Sequence, residues 1–131
     1  MTIMFDRRFV EPILSGKKIH TIRANYDFWK LHNGKEFSLR YWEGKPYRSK
    51  QIEFARRVIH VQKVHFTGDA GNAFQVVTNT MWTTGRDIKD ADIAKNDGFD
   101  NVAEFREWFY NPKAGYTPGL YVVLHFTDFW Y

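Results

Sequence analysis

Asp6-Arg7-Arg8-Phe9-Val10-Glu11-Pro12-Ile13-Leu14-Ser15-Gly16-Lys17-Lys18-Ile19-His20-Thr21-Ile22-Arg23 passes from a helical pattern into an extended one. Phe9, Val10, Ile13 and Leu14 recur at i, i+1, i+4 and i+5, the apolar stripe of a short helix over 9–15. Asp6 stands where an N-cap belongs, Pro12 is tolerated only near the first turn, and Gly16 closes the helix as its C-cap. A brief strand over 18–22 follows. Alternate residues of a strand share a face, so Thr21 and Arg23 point the same way. Lys18 lies in the turn ahead of them, and its long stem swings to that face. A lysine, a hydroxyl and a guanidinium therefore converge on a small volume, a cluster suited to an anion or a polar heterocycle. The same residues also read as a solvated basic hairpin edge that protects a strand. Spacing alone leaves both readings open.

Outward from this segment, the chain alternates between strand and turn signals before helices return. His32-Asn33-Gly34-Lys35 is a turn, 36–42 a strand, and Gly44-Lys45-Pro46 a break. Residues 51–66 form a longer extended stretch. Gly68 and Gly71 mark another turn, and Val and Thr enrichment predicts a strand over 74–80. Helices are expected over 87–95 and 102–110, separated by Gly98, with Asp100 or Asn101 as the second N-cap. Residues 112–118 read as a loop and 120–129 as a closing strand. Five or six strands with few helices make an α+β domain, a small mixed β-barrel with flanking helices.

The 131 residues suit one domain, able to bury roughly two thirds of its unfolded surface. There is no cysteine, so disulfides and thiolate metal sites are excluded. None of the histidines falls at a metal-ligand spacing, and neither a metal nor a cofactor is expected. No apolar run reaches membrane-span or signal-peptide length, so a cytoplasmic protein without a membrane partner is the expectation. The net charge is +4 and the sequence pI about 9.3, compatible with nucleotides or nucleic acid. Residues 40–63 hold seven Lys/Arg against two Glu, a net of +5, while 87–107 hold seven acids against three bases, a net of −4. Charge is thus segregated along the chain. Twelve Phe, seven Tyr and five Trp supply a ring-rich core, with Trp29, just past the basic segment, as a candidate stacking ring for a base.

The run Ile13 to Arg23 resembles the signature of the ASCH family, a helix ending in glycine followed by G-x-K-x-x-T/E-x-R, met here by Gly16, Lys18, Thr21 and Arg23. Asp97-Gly98-Phe99, followed by Val102, Glu104 and Phe105, is similar to the family's acidic-Gly-Phe turn before its second helix. Gly119 to Phe126 resembles its last strand. The resemblance implies a PUA-like fold and an RNA-related role. Some small bacterial members are amidohydrolases that deacylate N4-acetylcytidine with a Lys, a Thr and a Glu. By that resemblance the catalytic residues are Lys18, Thr21 and Asp97, the last one methylene shorter than the family's Glu. Arg23, Lys17 and Trp29 would bind substrate. The expected partner is a nucleoside or RNA. The competing expectation is a non-catalytic RNA-binding module that uses the basic 40–63 region. The oligomeric state is not legible.

Overall fold

The computed structural model describes residues 1–69, 72–77, 84–111, 113 and 115–131. Its elements are β1 (Thr2–Met4), α1 (Val10–Leu14), β2 (His20–Ala24), α2 (Tyr26–Trp29), β3 (Glu36–Trp42), β4 (Gln51–Val58), β5 (His60–Phe66), β6 (Phe74–Val77), β7 (Thr84–Ile88), α3 (Asp90–Asn96), α4 (Val102–Tyr110) and β8 (Gly119–His125). The protein is α+β, with one sheet ordered β1-β3-β4 and a second ordered β2-β8-β5-β6-β7. Only β1 and β3 pair in parallel; the other described pairs are antiparallel. The described strands close no barrel.

The sheets meet where the chain crosses from β4 to β5. The predicted 51–66 stretch is two strands split at Ile59, whose backbone is taken up by the preceding turn: Gly34 N donates to Ile59 O at 2.7 Å and Ile59 N to Lys35 O at 3.1 Å. One apolar cluster serves both sheets, with Ile3, Phe37 and Leu39 from the smaller and Val64, Val122 and Leu124 from the larger. Phe66, Phe74, Phe105, Phe109 and Tyr121 pack ring to ring beneath α4, so these aromatics are core. No described helix is long and apolar enough to cross a membrane.

Two capping readings hold. Gly16 takes φ +82° after α1, and Asn101, rather than Asp100, caps α4 by accepting from Glu104 N at 2.8 Å. The helix expected over 9–15 begins as a 3-10 turn at Arg7–Phe9, capped by Asp6, and becomes α-helical only at Val10. The helix expected over 87–95 begins later, at Asp90. Ile88 is instead buried in β7 opposite Phe74, because a paired strand satisfies its backbone and its side chain together. The last strand ends at His125 rather than 129, since the backbone bends from Phe126 onward. The strand expected over 74–80 is described as far as Val77, and the Gly71 turn lies outside the described residues.

Candidate functional site

Asp97 is the C-cap of α3, and the helix ends there in a Schellman turn. Phe99 N donates to Ala94 O at 3.0 Å and Gly98 N to Lys95 O at 3.1 Å, with Gly98 at φ +88°. The segment ahead of β2 runs past this turn. Lys18 and Asp97 form an isolated antiparallel bridge, and Ile19 N donates to Asn96 O at 2.8 Å. Two backbones in such contact leave no room for a side chain between them. A Cβ on Gly98 would lie 2.8 Å from Lys18 Cβ and 3.1 Å from its Cγ. Gly98→Ala therefore meets both a left-handed backbone and a steric clash, and is expected to cost about 2–4 kcal/mol in urea unfolding. A cost under about 1 kcal/mol would contradict this close approach.

Lys18 Nζ donates to Asp97 Oδ1 at 2.8 Å and to the Asp97 carbonyl at 2.7 Å, the second contact satisfying a carbonyl at the helix end. Both residues are buried, Lys18 at 2% and Asp97 at 3% exposure. The ammonium also lies 4.5 Å from the centre of the Phe9 ring. Burial pushes the Lys18 pKa down from its ordinary value. Asp97 opposes that shift without cancelling it, and Arg23 and Arg8 add to the lowering. For Asp97, burial acts upward, but Lys18 and His20 outweigh it and hold the carboxyl below the usual range.

Lys18, Thr21, Arg23 and Asp97 line a single cavity of about 90 Å³, walled by Phe5, Phe9 and Trp108 among others. Thr21 is 5% exposed, and its hydroxyl has no hydrogen-bond partner among the described residues. Arg23 donates through Nη2 to Met4 O at 2.8 Å and stacks over Phe5, with 5.2 Å from guanidinium to ring centre. Its Nε is buried without a partner, and Arg23 makes no salt bridge among the described residues. Beside one carboxylate, the site thus holds a lysine and an uncompensated guanidinium. It favours a ligand that brings an acceptor oxygen. A wider cavity of about 620 Å³ adjoins this one, sharing Trp108 and Tyr116 and lined further by Arg8 and Glu104.

Two expected site residues stand apart. Lys17 is exposed and pairs with Asp100, and Trp29 packs on Phe37 with ring centres 5.6 Å apart. Neither lines the small cavity. Sequence reasoning passed over His20 as an ordinary strand residue. It is fully buried, and its Nδ1 lies 3.2 Å from Asp97 Oδ1. Its partner Tyr131 is remote in the chain, so no local spacing signals the contact. Among the described residues, no three His, Asp or Glu side chains converge as metal ligands would. Comparisons with protein families, with curated proteins and with solved structures find no match to this chain.

Proposed function

We propose that this chain is an ASCH-domain protein with a PUA-like arrangement of its sheets. In this reading it binds a nucleoside or an unpaired RNA base at the Lys18–Asp97 cavity and hydrolyses the amide of an N-acylated cytidine there. The near-continuity of β4 and β5 across Ile59, and the core shared by both sheets, support the barrel-like reading. The observation that carries the functional reading is a buried lysine of lowered pKa, bonded to a carboxylate, on one cavity with a free hydroxyl and an unpaired guanidinium. Amide hydrolysis asks for these parts: a base, a nucleophile or its guide, and an oxyanion donor.

In the neutral form, Lys18 Nζ takes a proton from water held by Thr21 Oγ1 as the oxygen attacks the acyl carbon. Asp97 stabilises the ammonium that results. The Arg23 guanidinium, which lines the cavity, donates to the developing oxyanion. As the C–N bond breaks, Lys18 returns its proton to N4, and cytidine and the carboxylic acid leave. At about 90 Å³ the inner cavity suits the acyl group and the ring edge, while the adjoining space of about 620 Å³ takes the sugar. Chromatography of the protein with N4-acetylcytidine and other N-acylated nucleosides tests this reading. Release of cytidine is the expected result, and a folded protein without turnover across the panel overturns the enzyme reading.

A second reading has its own observation. At the β3–β4 hairpin end, Tyr47 is 89% exposed with φ +63°, and Trp42 packs against it at 5.2 Å. Lys45, Arg48 and Lys50 lie next to it in the chain and make no salt bridge among the described residues. An exposed ring among free cations suits single-stranded RNA. If RNA docks here, removing all three cations lowers the slope of log affinity against log salt by about 2, at about 0.7 for each charge. Fluorescence anisotropy over a salt series measures that slope. An unchanged slope would exclude the hairpin.

A further inference from the structure

We propose that His20 is a positioning residue of this site, its Nδ1–H set by the Asp97 carboxylate and its bare Nε2 anchored by the Tyr131 hydroxyl, so that it fixes the carboxylate against Lys18. Its consequence for turnover rests on the hydrolase reading above; its geometry does not.

The direction of each hydrogen bond follows from what each atom can do. An ionised carboxylate only accepts, so the ring nitrogen beside Asp97 Oδ1 must carry the proton. A neutral imidazole then has a bare Nε2, which needs a donor. The Tyr131 hydroxyl lies 2.5 Å from Nε2, and it accepts in turn from Asn96 Nδ2 at 3.1 Å. The chain of donation therefore runs from Asn96 through Tyr131 and His20 to Asp97. Burial of the ring disfavours its charged form, which keeps this single arrangement.

Tyr131 is itself tied down. Gln62 Nε2 donates to its carbonyl at 3.0 Å, and Tyr131 N donates to Gln62 Oε1 at 3.3 Å. The same Gln62 oxygen accepts from His125 Nε2 at 2.8 Å. Residues from β5, β8, α3 and the segment after β8 thus converge behind the cavity. His20 is on the opposite face of β2 from Thr21, so it reaches Asp97 from behind and leaves the ligand side clear. Both Lys18 and His20 donate to Oδ1. Oδ2 has no hydrogen-bond partner among the described residues, and Asp97 lines the cavity. One carboxylate oxygen is fixed and the other is available to a ligand.

Nitrogen-15 NMR of the imidazoles in the intact protein decides the arrangement without reference to any activity. The expected spectrum has His20 Nδ1 protonated and Nε2 bare, the minority tautomer of free histidine. In Tyr131→Phe, which keeps the ring and removes only the hydroxyl, Nδ1 keeps its proton toward Asp97 and the bare Nε2 resonance shifts because it has lost its donor. A wild-type His20 with its proton on Nε2, or a spectrum unmoved in Tyr131→Phe, overturns the proposal. Turnover gives the second readout. His20→Leu lowers kcat by about 10–100-fold with KM little changed, as expected for a misplaced group. His20→Asn, whose amide nitrogen takes the place of Nδ1, recovers most of that loss. Equal losses in the two variants would make His20 merely structural. Absence of turnover in the wild type would sink the hydrolase reading and leave the tautomer result to stand or fall alone.

Discussion

Replacing Lys18 with methionine is expected to cost about 3–5 kcal/mol of stability and to remove turnover of acylated nucleosides by at least about 10³-fold. The stability loss does not come from a valuable ion pair. It comes from stranding Asp97, a carboxylate 3% exposed whose Oδ1 keeps only the His20 donor once the ammonium is gone. Burying two charges is expensive, and a well-packed apolar pair of similar size is commonly as stable or more so. Lys18→Met combined with Asp97→Leu is therefore expected to recover most of the stability and none of the activity. Urea unfolding of the wild type, both single variants and the double variant measures the coupling, and chromatography measures turnover. If the single variant cost less than about 1 kcal/mol, the buried pair would not exist as described. If the double variant turned over substrate, Lys18 would not be the base. A buried pair whose joint removal costs little stability but all activity is the pattern of a functional pair rather than a stabilising one.

Much of this site was legible in the chain because its parts are local. Gly16, Lys18, Thr21 and Arg23 lie within one helix-to-strand passage, and strand alternation alone places the hydroxyl and the guanidinium on one face. Asp97 was reached only through the resemblance of Asp97-Gly98-Phe99 to an acidic-Gly-Phe turn, not through any spacing. Its contact with Lys18 was not legible. That contact depends on a backbone-to-backbone bridge with Lys18, which only the packing of α3 against the segment before β2 produces. The same holds for the pieces misread or missed. β1 is three residues long and pairs with β3 far along the chain, so no periodicity has room to show it. β7 carries charged residues that suit a helix, but its pairing with β6 outweighs that preference. Trp29 follows the basic segment closely, yet the short helix α2, opened by Asn25 at φ +71°, carries its ring onto Phe37.

The second large effect is on stability against acid, and it comes from His125. This residue is fully buried, opposite His20 across the β2–β8 pair and opposite His60 across the β5–β8 pair. Its Nε2 donates to Gln62 Oε1, so Nδ1 is the bare nitrogen, and Nδ1 is buried with no partner. Protonation would place a charge there with no acceptor and two other imidazoles nearby. Burial first, then His20 and His60, push its pKa from 6.5 down to about 3. The unfolded chain binds a proton on this residue below pH 6.5, and the folded protein does not until about pH 3. Stability is therefore full above 6.5 and falls as pH drops through that window. The slope is about 1.4 kcal/mol per pH unit, and the whole window is worth on the order of 4–5 kcal/mol. His20, whose pKa is also lowered by burial, steepens the slope. Urea unfolding between pH 7 and pH 4.5 measures it. His125→Phe is expected to lose the His125 share of the slope while keeping a ring against Trp130 and Tyr131. A His125 imidazole that titrates near 6.5 in the folded protein would overturn the assignment.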